Sequence, residues 1–425
     1  MAKILVCADG FFRAFSAFGL EPYIDSFIKS LARNGNDVLT YIAQDFQVRH
    51  KLKRKFINYQ TKKEIRNFNP DLIIAFNNAI KSGFVKHLTC PILVVASDTP
   101  VYWSYKSFIK KNSHRYSVAY LNNDMADTLC EEYNIPMERQ ILIPYSTDMH
   151  ADSKIKPTKD IAFIGNFYNS ETYLSNIFLT LKNKSKDKEL CQKLFVKIID
   201  DMEKSKKVTK TAVKLIEKLE NVANMKINYD YLISSVFGTL TEKKRINLLS
   251  GLLDMDLHIW SWDGGLSCVL HYPELFKKCE VEQVYSVEDN ERVYNSSRIS
   301  LNLPHAQVNT GFSWRVCDIL ASNALLISNP SKDLERLFGG IIPTYKDANE
   351  LHEKVKYYLN HDKERREIVA KCHEIINKNH RYENVFKVIG DYYNMSLINN
   401  TDGKLQFLKR TIRKQNEYLQ KHKND

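Results

Sequence analysis

Short apolar runs alternate with stretches of helical spacing from the first residues onward. Lys3–Ala8, Val38–Ala43, Asp71–Phe76, Ile92–Ala96, Val118–Asn122 and Gln140–Pro144 are nearly unbroken apolar runs bounded by polar residues. That pattern predicts strands buried on both faces, as in a parallel sheet. Between the first two, Glu21–Asn34 places Tyr23, Phe27, Ile28 and Leu31 on one helical face, and Gly35 is a natural stop. The polar stretch Tyr145–Lys159, with Pro157, reads as a linker, and Asp160–Phe167 opens a second series as a strand and a tight loop. From Tyr173 to Leu253 the chain is Lys-rich and helical, with Gly238 and Gly251 its only glycines, which predicts a helical insertion. Strands are expected at Leu257–Trp262, Val281–Tyr285 and Arg298–Asn302, with a helix at Glu288–Ser297 before the last of them. Asp333–Phe338, Asn349–Leu359, Lys363–Lys378 and Asn384–Tyr393 read as helices, and Ile341–Pro343 as an edge element. Strands alternating with helices in two series make an α/β chain with two Rossmann-like halves.

The stretch Asn309–Asn329 concentrates the chemistry. Thr310-Gly311 is a loop in which glycine permits positive φ or close backbone approach. Ser313 is placed to cap a short helix, whose apolar side is Phe312, Val316, Ile319 and Leu320, and Ala324–Ser328 is a buried strand. A helix N-terminus at the carboxyl end of a parallel strand offers unpaired N–H groups to an anion. An open α/β sheet binds a phosphorylated ligand at that place.

Composition narrows this picture. A chain of 425 residues exceeds the usual single core, so two domains are expected. No apolar run approaches the ~20 residues that span a bilayer, and the start Met-Ala-Lys-Ile-Leu-Val-Cys-Ala-Asp reads as a first strand and not as a signal peptide. The eight cysteines are scattered without Cys-x-x-Cys, which argues for free thiols in a reducing cytoplasm and against zinc or disulfides. A net charge of +12 implies an anionic partner. The densest basic segment, Arg49–Arg66, interleaves Phe56 and Tyr59, and a second lies at 404–423. Each is either a solvated face or a peripheral contact with an anionic membrane surface. The opening βαβ, with the loop Asp9-Gly10-Phe-Phe-Arg13, lacks Gly-x-Gly-x-x-Gly, so the dinucleotide signature is missing.

Several residues stand where a site would need them. Asp98 follows the strand Ile92–Ala96 and precedes Pro100, Tyr102 and Trp103; it is either a turn cap or a base. Gly165 and Asn166 end the strand that opens the second half, and Asp263-Gly264-Gly265 is a comparable loop. Arg298 and Arg315 are either ordinary ion-pair partners or the cations that hold a diphosphate. His305, at a strand end, either touches a sugar or phosphate or is structural. Asp254-Met255-Asp256 has the form of a metal-diphosphate motif but precedes a strand instead of following one, so it reads as surface acids.

The run of a strand ending in Leu301-Asn302, the Gly311-Phe312 loop, Arg315-Val316, Asp318 and a buried strand resembles the donor-binding segment of GT-B glycosyltransferases, in particular the spore-maturation (Cge-type) family. The likeness is clearest from Arg298 to about Tyr382. It implies two Rossmann-like domains facing a cleft: 1–150 for the acceptor and 160–385 for the nucleotide-sugar. The insertion spans 173–253, and a C-terminal helix with a basic tail, 386–425, crosses back. Related retaining enzymes carry two glutamates eight positions apart; here those positions are Thr310 and Asp318. Ribose binding thus carries over to Asp318, whose two oxygens suit a vicinal diol, whereas the first acid has no counterpart. Gly165, Asn166, Arg298, Gly311, Phe312, Ser313 and Arg315 would surround the donor, with Asp98 and His305 as catalytic candidates. The implied activity is metal-independent transfer of a sugar from a nucleotide-sugar to a glycan, lipid-linked or protein acceptor in surface polysaccharide or glycoconjugate synthesis. No cofactor beyond the donor is implied. A nucleotide-sugar epimerase of the same fold would need carboxylates and histidine across the cleft, and no such set stands out. A non-catalytic anion-binding module is the other alternative; no nucleic-acid motif is present, and nucleic acid is not an expected partner.

Overall fold

A computed structural model describes residues 1–9, 20–43, 59–80, 82–100, 103, 106–168, 170–261 and 265–409. The Gly10–Arg13 part of the first loop, residues 49–58 of the basic segment, Tyr102, Asp263-Gly264 and residues 410–425 lie outside them. The chain forms two compact units, residues 1–150 with 285–291 and 373–425, and residues 151–284 with 292–372.

The first unit is built on β1 (Lys3–Asp9), α1 (Pro22–Arg33), β2 (Asp37–Ala43), α2 (Tyr59–Phe68), β3 (Leu72–Phe76), α3 (Ser82–His87), β4 (Ile92–Ala96), α4 (Lys106–Lys111), β5 (Tyr116–Tyr120), α5 (Ala126–Tyr133) and β6 (Gln140–Leu142). The second contains β7 (Lys159–Ile164), α6 (Glu171–Lys184), α7 (Lys188–Ser205), α8 (Lys210–Ala223), α9 (Tyr229–Ser250), β8 (Leu257–Trp260) and α10 (Pro273–Phe276). After α11 (Val287–Asn295) it continues with β9 (Ser297–Asn302), α12 (Arg315–Leu320), β10 (Leu325–Ser328), α13 (Lys332–Phe338), α14 (Ala348–Asn360) and α15 (Asp362–Asn379). The chain ends, within the described residues, on α16 (Tyr382–Tyr393) and β11 (Leu405–Phe407).

Both sheets are parallel throughout. The first has the order β11-β2-β1-β3-β4-β5-β6 and the second β10-β9-β7-β8. Strands β3, β4 and β5 are buried along their whole length, which is why their sequence is continuously apolar. Each sheet reverses its winding once, between β1 and β3 in the first and between β7 and β9 in the second. A crevice opens at the carboxyl ends of the strands at such a reversal.

The helical insertion is α6 to α9, and Asn228, Thr209 and Asp187 cap three of its helices through their side chains. Val281–Tyr285 is not a strand. Pairing beside β8 ends at a single bridge, Ile259 to Cys279, Val281 is 96% exposed, and the Tyr285 hydroxyl donates to Glu21 Oε1 at 2.9 Å. The returning C-terminal segment packs on α1 of its own unit, where Phe27 meets the rings of Tyr382 and Phe386 edge-on at 5.6 and 5.3 Å. Leu405–Phe407 then extends the first sheet beside β2. The eight cysteines all lie among the described residues and none is in a disulfide; five of them are buried. Among the described residues no helix is long and apolar enough to cross a membrane.

Candidate functional site

Within the second unit, one face of α9 closes on the loops that leave β7 and β9. Gly238, Thr241, Glu242 and Arg245 recur at helical spacing along that face. A Cβ on Gly238 would lie 2.2 Å from Ser170 Oγ, so the glycine lets the loop after β7 sit against the helix backbone. Glu242 accepts the Ser170 N–H at 3.1 Å, and Thr241 Oγ1 accepts the Ala306 N–H at 2.9 Å. Arg245, 2% exposed, donates through Nε and Nη2 to the Leu303 carbonyl at 3.0 and 2.7 Å, and through Nη1 to the Asn166 carbonyl. Its guanidinium also lies over the rings of Phe163 and Tyr168 at 5.5 and 5.3 Å. Burial brings that guanidinium down to about 10. Sequence reading passed over Arg245 as part of the Lys-rich insertion.

Arg315 approaches the same edge from α12. A Cβ on Gly165 would stand 3.1 Å from Arg315 Nη1 and 2.6 Å from Phe163 Cζ, so only glycine leaves room at the end of β7. Arg315 Nη1 is buried without a hydrogen-bond partner. Asp318 lies one turn further along α12 and is half-buried. Both charges act on the hydroxyl of Tyr294, which burial holds far above its ordinary value, with Arg315 opposing and Asp318 reinforcing the rise.

The glycine loop is held from beneath by Asn302, fully buried at the end of β9. Its Nδ2 donates to Ser328 Oγ at 2.9 Å, and its Oδ1 accepts the Ser313 hydroxyl at 2.9 Å. Ser313 is therefore not the helix cap: its hydroxyl is spent on Asn302, and Trp314 holds the N-cap position without a side-chain bond. Gly311 is buried and is not among the positive-φ residues, so the loop does not use the left-handed backbone that glycine permits. Phe312 turns inward, with its ring 6.3 Å from that of Phe338.

His305 follows β9 and sits 5.1 Å, edge-on, from the ring of Tyr168. Burial and the neighbouring Arg245 bring its imidazole down to about 3, so it is neutral and can exchange hydrogen bonds but carries no charge near pH 7. Tyr168 is 43% exposed and has a φ of 79°, an unusual backbone for a bulky side chain. Asn166 contributes its carbonyl to Arg245 as described. Arg298 is not part of this group. It lies near the start of β9, about 13 Å from Asn302 at a rise of ~3.3 Å per residue, and donates to Asp160 Oδ1 at 3.1 Å and the Leu359 carbonyl at 2.6 Å. The carboxyl edge, where a ligand would bind, is out of its reach. Asp254 and Asp256 also sit at the amino end, paired with His352 and His258 at 3.0 Å each.

In the first unit, Asp98 lies at the carboxyl end of β4. Its N–H donates to Asn77 Oδ1 at 2.9 Å, and its Oδ2 accepts from Asn77 Nδ2 at 2.8 Å. Tyr23 shares Ser97 Oγ at 2.9 Å. Burial, then the nearby Glu21 carboxylate, push Asp98 up to about 6 against the opposing bond from Asn77.

Comparison with known proteins bears on both units. Residues 244–390, beginning one residue before Arg245, match a family described as glycosyl transferase-like. The chain is similar to the T4 phage BGT in complex with UDP and Mn2+, with a TM-score of 0.52 at 12% identity over 92% of this chain and 100% of that one. It is also similar to HepE of Anabaena in complex with UDP-glucose, with a TM-score of 0.51 at 9% identity over 93% of this chain and 100% of that one. No curated protein matches the sequence. The fold is GT-B, an α/β architecture with two Rossmann-like units.

Proposed function

We propose that the chain is a glycosyltransferase that takes a UDP-sugar as donor and a glycan, lipid-linked or protein hydroxyl as acceptor, and that it belongs with the Cge-type enzymes in surface polysaccharide or glycoconjugate synthesis. The observation that carries this reading is Arg315 Nη1, buried and without a partner beside the Gly165 turn. Behind it stands a second buried guanidinium, Arg245. A buried cation without an anion is costly unless a ligand completes it. Arg245 is held by the Leu303 and Asn166 carbonyls, so it shapes the pocket behind, and a diphosphate is the anion that the Arg315 guanidinium at a sheet's switch point fits best. The glycosyl transferase-like match and the UDP in both similar structures support the same assignment.

In the reaction, Asp98 takes the proton of the acceptor hydroxyl as its oxygen attacks the anomeric carbon. The bond to the diphosphate oxygen breaks, and UDP leaves with its growing negative charge facing Arg315 and the amides around Gly311 and Ser313. Asp318 accepts from the ribose hydroxyls, and the neutral His305 hydrogen-bonds the sugar. With Thr310 where related retaining enzymes carry glutamate, a single displacement with inversion is the expected course.

A thermal-shift series with UDP-, GDP-, CMP- and dTDP-sugars tests the donor. A ligand at 100 times its dissociation constant adds about 2.7 kcal/mol, so the UDP-sugar should raise the melting temperature measurably and Asp318→Ala should abolish that rise without loss of fold. A shift untouched by Asp318→Ala removes Asp318 from the site. Product analysis separates the activities, since an epimerised nucleotide-sugar without transfer would replace this reading with an epimerase. Because guanidiniums neutralise the leaving group, transfer should continue in excess EDTA. A return of activity only with added Mn2+ would contradict that.

A further inference from the structure

The side chain of Asn77 lies across the carboxyl ends of β3 and β4. Its Oδ1 accepts the N–H groups of Ser97 and Asp98, each at 2.9 Å, while its Nδ2 donates to Ser97 Oγ at 2.7 Å and to Asp98 Oδ2 at 2.8 Å. Every hydrogen-bonding atom of the amide is thus committed to the two residues that follow β4. To present it there, the backbone turns left-handed at Asn77 (φ 46°) and again at Asn78 (φ 60°). Asparagine tolerates that region better than other side chains, but two in succession mark a turn with a purpose beyond reversal. The Asn77 N–H itself bonds to the Val95 carbonyl at 3.0 Å, which ties the turn to β4.

We propose that Asn77 is the positioning residue of the acceptor-side base: it clamps Asp98 Oδ2 and fixes the loop, leaving Oδ1 as the oxygen that meets the acceptor hydroxyl. This rests on the reading of Asp98 as that base. The other groups facing Asp98 come from the start of α1 and the elements packed on it. They are the Glu21 carboxylate, which accepts from the Tyr285 hydroxyl at 2.9 Å, and the Tyr23 phenol on Ser97 Oγ. Tyr382 of α16 adds its hydroxyl on the Tyr23 carbonyl at 3.1 Å. Glu21 and burial both favour the protonated carboxyl, and the Asn77 amide opposes them by bonding the ionised one. Asn77 therefore sets both where the base points and how readily it ionises.

Two substitutions separate these effects. Asn77→Asp keeps an acceptor for both N–H groups and tolerates the left-handed backbone, but places a second carboxylate against Asp98 Oδ2. The pair then shares a proton, and the midpoint of Asp98 should rise by more than one pH unit. Asn77→Gly keeps the backbone and removes all four bonds. A base displaced by about 1 Å should cost on the order of 10²-fold in kcat with the donor KM unchanged. The midpoint is read by carbon NMR of the Asp98 carboxyl in the resting, full-length protein, and so needs no transferase activity. A midpoint unmoved in Asn77→Asp overturns the positioning role, as does a parental kcat in Asn77→Gly. The base assignment fails in a different way: Asp98→Asn would retain full transfer whatever the Asn77 variants show, and the positioning role would fall with it.

Discussion

Asp98→Asn should lower kcat by about 10²–10⁴-fold, the range that general-base catalysis supplies, while donor-induced stabilisation stays at the parental level. The asparagine keeps the shape and the N–H bond to Asn77 but cannot take a proton. In the parent, the active form is the carboxylate, so kcat/KM should rise with pH through about 6, where burial and Glu21 place the midpoint. The stability effect has the opposite sense. An acid whose folded midpoint lies above its ordinary value binds a proton more tightly when folded. The cost of ionising it in place is absent well below pH 4 and complete above the folded midpoint. Asp98→Asn removes that cost. The variant should therefore be more stable than the parent at pH 8, with the difference vanishing toward pH 4 in denaturant titrations. An acid limb that persists unchanged in the variant would assign it to another group.

Arg315→Ala should cost about 10²–10³-fold in kcat, the loss seen when one donor to a developing oxyanion is removed. Its stability should be unchanged or slightly higher, because Nη1 is buried without a partner in the resting protein and its loss breaks no bond there. Arg245→Ala makes the contrast. That guanidinium holds the Leu303 and Asn166 carbonyls, so its removal should weaken donor binding and destabilise the fold together, by roughly 2–4 kcal/mol for two orphaned buried acceptors. Kinetics and denaturant melts on the two variants would distinguish a ligand-facing arginine from one that shapes the pocket. Equal stability losses in both would mean that Arg315 is as structural as Arg245.

The strands were legible because burial on both faces leaves no polar position to interrupt them, and the longer helices because their caps and spacing agree. Leu405–Phe407 was not legible as a strand: three residues at a sheet edge, flanked by lysines, carry no periodicity of their own. Val281–Tyr285 misled because apolar content alone does not provide a neighbouring strand. Among the candidates, the glycine loop and Asp318 in the second unit, and Asp98 in the first, lie at strand or helix ends that a sequence can place. Arg298 is a matter of direction along a single strand: near its start it is a structural cation, and only the carboxyl end faces a ligand. Arg245 was hidden among lysines, and the one clue was Gly238 in mid-helix, unfavourable there by ~1 kcal/mol unless something must come close. Asn77-Asn78 after a buried strand was a comparable hint, since adjacent asparagines suit left-handed turns.

The division of the chain limits how its halves can be exchanged among relatives. The first unit draws on three separate stretches, 1–150, 285–291 and 373–425. Cut after His150, that piece would leave Phe27 without the rings of Tyr382 and Phe386, strip β2 of its outer neighbour, and lose the Tyr285 hydroxyl that holds Glu21. A chimera made by a single crossover there therefore inherits an incomplete hydrophobic core. A workable graft has to carry the distal helix and the short mid-chain strap along with the amino-terminal sheet.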